Sequence, residues 1–240
     1  MHWQYTPYAL PLVAAAAVTV TLALYSWHRR PAPGATVFVL LVLAVSEWSL
    51  TYALELDSAD LSAKIFFDAL EFFGIVIIPA AWLALALCYT GREKWLTPRN
   101  WALLSVEPAV ALLLVWTNSF HGLIWGNVGL DTIGTFAFLD ETPGVGFWVH
   151  TVYSYTLLLI GVLLLIQAFA RAPRLYRRQL ISLLLGVLVP WLANALSLLG
   201  LSPVPEFDLT PFALTVSAAV MAWGLFRFRL LDIVPVPLTC

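Results

Sequence analysis

Seven long, largely apolar stretches dominate the chain, at about 8–27, 35–54, 61–89, 101–116, 147–170, 180–199 and 209–226. None carries the broad polar face that a helix on the surface of a soluble domain presents to water. A hydrocarbon core about 30 Å thick is crossed by about 20 apolar residues in a helix, and only a helix satisfies its own peptide groups in that medium. The pattern therefore predicts an all-α membrane protein, a bundle of seven transmembrane helices forming a single domain over 1–240. The residues before the first stretch contain no Lys or Arg, so that stretch reads as a retained span and not as a signal peptide.

The connections between these stretches are short, with one exception. Residues 118–146 are rich in Gly and hold two β-like runs, 123–130 and 132–139, followed by Gly and Pro punctuation. That pattern predicts a short extracellular β-hairpin between the fourth and fifth helices, lying over the mouth of the bundle. A spacer would need fewer than half these residues, and long ordered loops are usually functional.

Composition agrees with the span pattern: 61% of the 240 residues are hydrophobic and 11% charged, with a mean hydropathy of +0.89. The formal charge of −2 gives no basic face for nucleic acid. Cys88 and Cys240 are the two cysteines, and they form no disulfide framework.

The distribution of charge carries more information than its sum. Two Arg follow the first stretch (Arg29, Arg30), and three basic residues follow the third (Arg92, Lys94, Arg99). Four Arg follow the fifth (Arg171, Arg174, Arg177, Arg178) and two follow the seventh (Arg227, Arg229), which makes eleven of the twelve. Basic residues at span ends stay on the cytoplasmic side, so the amino terminus is expected outside, the carboxyl terminus in the cytoplasm, and the protein in the plasma membrane as a multi-pass chain.

Ionisable residues at membrane depth are costly and normally face the bundle interior. Asp60, Lys64, Asp68 and Glu71 follow one face of the third helix, and Glu47, Thr51 and Glu55 one face of the second. Reckoned from a turn near Ser58, Glu47 and Glu71 should lie at similar depth. One reading pairs Lys64 with Asp60 and Asp68 simply to admit a polar face to the bundle; the other gives Glu47, Asp68 and Glu71 a ligand or proton role. His150, Tyr153 and Ser154 lie at the outer end of the fifth helix, and Gly186, Pro190 and Asn194 recur every four residues in the sixth, predicting a kinked or loosened backbone. Asp208 to Pro211 reads as a capped entry to the seventh. Trp48, Tyr52, Phe72 and Trp191 supply aromatic walls, whereas Trp3, Trp27, Trp95, Trp101, Trp116 and Trp148 read as interfacial anchors. Glu107, before Pro108, stands apart from the outer pocket as a local helix device or coupling element.

Several short motifs fall in order at the helix ends: Tyr-Ala-Leu-Glu at 52–55, Tyr-Thr-Gly-Arg at 89–92, Trp-Thr-Asn at 116–118 with His121 and Trp125, Pro190 with Asn194, Asp-Leu-Thr-Pro at 208–211, and Arg-Leu-Leu-Asp-Ile-Val-Pro at 229–235. Over nearly the whole chain this set resembles the seven-transmembrane amino-terminal sensor region of bacterial and archaeal histidine kinases. The resemblance implies a membrane sensor whose outer pocket receives a signal and whose last helix passes it to a downstream cytoplasmic PAS or kinase module, working as a homodimer. The 240 residues hold no nucleotide-binding domain or phosphoacceptor-His region, so no kinase activity is expected of them.

The leading expectation is thus a signal-receiving domain in which a small molecule or cation contacts Glu47, Asp68, Glu71, His121, Trp125, His150, Tyr153, Trp191, Asn194 and Thr210, without a cofactor or metal. The carboxylates also admit a proton-coupled or cation transporter, although the cytoplasmic halves are Leu- and Ala-rich with Glu107 as their buried polar residue. A metal-dependent membrane enzyme is disfavoured by the absence of a His-Glu-x-x-His spacing. A retinal protein is disfavoured because the seventh stretch has no Lys.

Overall fold

The computed structural model describes residues 2–28, 34–133, 135–172, 174–201 and 208–228. Arg29, Arg30 and the 229–235 motif lie outside the described residues, and the structure adds nothing to their roles. Among the described residues, seven long helices occupy the expected stretches: α1 (Ala9–His28), α2 (Ala35–Asp57), α3 (Leu61–Tyr89), α4 (Pro98–Trp116), α5 (Val145–Arg171), α6 (Arg174–Leu198) and α7 (Leu209–Phe228). By length and hydropathy, five helical segments among the described residues can cross a membrane: α1, α2, α3, α5 and the Arg177–Leu198 part of α6.

Local sequence accounts for the helix ends. Thr97 caps α4 by accepting a hydrogen bond from Asn100 N at 3.2 Å, with Pro98 in the first turn, so the helix starts three residues before the apolar run. The Tyr-Thr-Gly-Arg motif ends α3. Gly91 takes a left-handed φ of 68°, which lets Arg92 N reach back to Leu87 O at 2.8 Å. Pro190 lies inside α6 without ending it.

The α2–α3 hairpin forms the centre of the bundle. Its helices meet at Gly74, where a Cβ would lie 2.5 Å from Ala44 O; a small residue there allows the close approach typical of membrane helices. On the outside of this pair, α1 packs on α2 and also touches α7, α5 and α4 pack on α3, and α6 packs chiefly on α7. At one end the space between helices is filled by Phe38, Trp82, Leu85, Leu165, Leu180 and Leu183, all fully or almost fully buried.

The predicted hairpin is present at the opposite end. Strands β1 (Trp125–Ile133) and β2 (Phe136–Pro143) pair antiparallel, Val128 opposite Glu141 and Ile133 opposite Phe136, with an irregularity between Trp125 and Val128. The strand β1 runs past residue 131, where the two β-like runs suggested a break, through Asp131 and Thr132 to Ile133.

Candidate functional site

A cavity of about 660 Å³ opens between the hairpin and the helices at that end of the bundle. Its roof is Trp125, Asp131 and the β2 residues Phe138 to Glu141. Its walls come from the hairpin-side halves of five helices: Trp48, Tyr52 and Glu55 of α2, Asp68, Glu71 and Phe72 of α3, His150, Ser154 and Tyr155 of α5, Pro190, Trp191 and Asn194 of α6, and Thr210 and Leu214 of α7, with Asp208 just before it. The volume falls within the range of small-molecule sites, about 300–1,000 Å³.

The roof is tied down at three points. Trp125 Nε1 donates to Asp68 Oδ2 at 2.9 Å, linking hairpin to α3. Asn118 holds the entry to β1: its Oδ1 accepts from Ile124 N and Trp125 N, and its Nδ2 donates to Trp125 O. From the amino terminus, Gln4 Nε2 donates to Leu56 O and Ala137 O at 2.8 Å each. Gln4 Oε1 accepts from Ala137 N at 2.9 Å.

The walls present acceptors without donors. Glu71, only 6% exposed, accepts from Trp48 Nε1 through Oε2 at 3.1 Å, while its Oε1 is buried with no hydrogen-bond partner. Glu141 Oε1 is likewise a buried acceptor without a donor, whereas Trp191 Nε1 is a buried donor without an acceptor. Burial raises the Glu141 carboxyl well above its ordinary value, and the Asp68, Glu55 and Asp140 charges push the same way. Burial also raises Asp208, against the opposing effect of its bonds from Thr210.

A hydrogen-bond chain crosses from α5 to α7 along one side of the cavity. Tyr155 donates to Asn194 Oδ1 at 2.8 Å, Asn194 Nδ2 donates to Thr210 Oγ1 at 3.0 Å, and Thr210 Oγ1 donates to Asp208 Oδ1 at 2.6 Å. Asp208 also accepts from Thr210 N at 2.9 Å, the expected helix cap, and its own N–H reaches Tyr52 Oη at 3.1 Å. Four helices thereby meet through side chains beside the cavity.

Of the ten residues expected to form the pocket, Asp68, Glu71, Trp125, His150, Trp191, Asn194 and Thr210 line this cavity. The other three lie elsewhere. Glu47 Oε2 stands against Gly74; it occupies the α2–α3 contact itself, so it shares depth with Glu71 without sharing the cavity. His121 is exposed: its Nδ1 accepts from Leu123 N at 3.0 Å and its Nε2 lies 3.0 Å from Thr117 Oγ1. Tyr153 turns toward α4 and donates to Leu104 O at 2.7 Å, because it sits three residues beyond His150 on a flank facing that helix.

Two pairings also differ from expectation. Lys64, fully buried, pairs with Glu55 and not with Asp60 or Asp68: its Nζ donates to Glu55 O at 2.7 Å and lies 3.0 Å from Glu55 Oε1. The α2–α3 turn brings Glu55 across from it, while Asp60 accepts from His2 N instead. Glu107 does not stand apart; its Oε1 lies 2.9 Å from His150 Nδ1, placing it behind the cavity wall. Sequence reasoning missed Glu141, Asp208, Tyr155 and Gln4 as parts of the site. The two acids were visible as loop carboxylates, but only the hairpin register turns Glu141 inward.

The family model for the N-terminal 7TM region of histidine kinase matches residues 11–235. The chain belongs to this family. The histidine-kinase 7TM region is a multi-pass membrane segment, in keeping with the apolar helices of this chain. No kinase catalytic domain lies within the match. Among curated proteins, none matches this 7TM region.

Proposed function

We propose that this 7TM region is the signal-receiving domain of a histidine-kinase-type protein in the plasma membrane, with the hairpin end outside and the carboxyl terminus in the cytoplasm. A small molecule enters the roofed cavity, and the signal leaves through α6 and α7 toward a downstream PAS or kinase module, in a homodimer. The observation that carries this reading is Glu71, buried in the cavity wall with a carboxylate oxygen that no protein donor meets. Buried acceptors in folded proteins are almost always satisfied, so such an oxygen beside a cavity of ligand size is best explained by a ligand.

The Asn194–Thr210–Asp208 chain supplies a relay. A ligand resting on Asn194 competes for the bonds that join α6 to α7, and only a ligand with unequal affinity for two helix arrangements shifts their populations. The transporter alternative is weakened by the apolar cluster around Phe38, Trp82 and Leu165, which closes the bundle at the other end.

Native mass spectrometry of the chain released from lipid nanodiscs tests the reading. A non-lipid molecule of fixed mass, lost when Leu214→Trp fills the cavity, is expected. Identical spectra for both chains would argue against the cavity as its seat, and sustained ion flux through liposomes would favour transport.

A further inference from the structure

We propose that the cavity takes a protonated primary or secondary amine carrying an apolar, ring-sized body, with Glu71 as its main counter-charge. This rests on the cavity being a small-molecule site, and adds the ligand's chemistry.

Three independent features select that class. The first is charge: seven Asp and Glu side chains line the cavity against one His. Among the described residues only Glu55 of these holds a Lys or Arg, namely Lys64. Asp68 and Asp208 are met by neutral donors, an indole and a threonine. A cation entering such a lining favours the ionised form of these acids and an anion does not, so the pocket selects cations.

The second is hydrogen-bonding capacity. Glu71 Oε1 and Glu141 Oε1 are buried acceptors without donors. An ammonium with N–H groups satisfies them, and a quaternary ammonium does not. Bare metal ions fit less well, because no three His, Cys, Asp or Glu side chains among the described residues are grouped to hold one. The acids are spread around the walls, as suits a molecule larger than an ion.

The third is the apolar surface between the acids. Trp125 packs on Phe72 and Phe147, with ring centroids 6.1 and 5.0 Å apart, and Trp191 packs on Tyr155 at 5.7 Å. These walls accept a ring and, by their faces, the positive charge itself.

Probe titrations followed by tryptophan fluorescence, on the full chain in nanodiscs, test the proposal. The probes are 2-phenylethylamine, its uncharged counterpart 2-phenylethanol, the anion 3-phenylpropionate, and N,N,N-trimethyl-2-phenylethylammonium. The amine is expected to bind at least about tenfold more tightly than the other three, as a charge-assisted hydrogen bond implies. Glu71→Gln should abolish that preference, bringing the amine down to the affinity of the alcohol. If that variant is not monodisperse, Glu141→Gln on the hairpin should reduce the preference severalfold. Equal binding of amine and alcohol, or tightest binding of the anion, overturns the amine assignment and leaves the small-molecule site standing. Equal binding of the trimethyl compound overturns the requirement for N–H donors. No saturable binding by any probe up to millimolar concentration overturns both readings.

Discussion

The indole N–H of Trp125, on the roof strand, donates to the carboxylate of Asp68 in α3 at 2.9 Å. This bond joins the loop to the bundle at the edge of the cavity, so it sets how readily the roof lifts. Trp125→Phe keeps the ring contacts with Phe72 and Phe147 but removes the donor. A hydrogen bond to a charged group contributes about 1.5–3 kcal/mol, so amide exchange across 125–143 should quicken about 10- to 100-fold while the helices stay protected. Unchanged exchange would mean that the roof is held elsewhere.

Gln4 is the second latch. Its side chain makes three hydrogen bonds, two of them to the backbone of Ala137. Gln4→Leu has similar bulk and none of this capacity. Exchange at Ala137 and its neighbours in β2 should rise, with β1 near Asn118 less affected. Mass-resolved exchange on proteolytic fragments reads this directly.

The Glu55–Lys64 pair lies at the α2–α3 turn, and Lys64 is fully buried. Removing one partner of a buried pair strands the other charge, at about 3–5 kcal/mol. Lys64→Met should therefore destabilise the bundle by that amount, and adding Glu55→Gln should restore most of it. Reversible unfolding in mixed micelles compares the two variants; equal loss in both would show that a stranded Glu55 charge is not the cause and that Lys64 acts through its bond to Glu55 O.

Glu141 gives the site a pH dependence with a definite sign. Its folded-state carboxyl is raised by burial first and then by Asp68, Glu55 and Asp140, so the folded hairpin holds a proton that the unfolded chain has released. That contribution is intact below the ordinary carboxyl value and is lost as pH rises from there through the raised folded value. Hairpin protection should fall over that window in the parent chain, and Glu141→Gln, which cannot ionise, should flatten the part of the slope due to this residue. A slope of opposite sign would contradict the placement of Glu141 against the cavity.

Much of this architecture was legible in the residues because membrane helices need length, hydropathy and end signals, all of which are local. The capped start at Asp208, the glycine stop at Gly91 and the hairpin after α4 each follow from a few neighbouring residues. The site was legible only where helical periodicity decides facing, as at Asp68 and Glu71. It was not legible where a partner from a distant element decides. Glu47 and Glu71 share depth, yet Gly74 draws Glu47 into the helix contact. Lys64 reaches back to α2, and His150 finds Glu107 across α4. The strand register that turns Glu141 inward depends on where β1 ends, which Gly-rich sequence specifies weakly.

Thiol accessibility at position 71 tests most directly whether the deep acid faces an open, water-reachable cavity. With Cys88 and Cys240 replaced by Ser, Glu71→Cys should be modified from the hairpin side by a small cationic methanethiosulfonate. The anionic reagent should act more slowly, held back by the remaining carboxylates. No reaction with either reagent in a folded, monodisperse protein would mean that position 71 is packed or faces lipid, and would contradict the account.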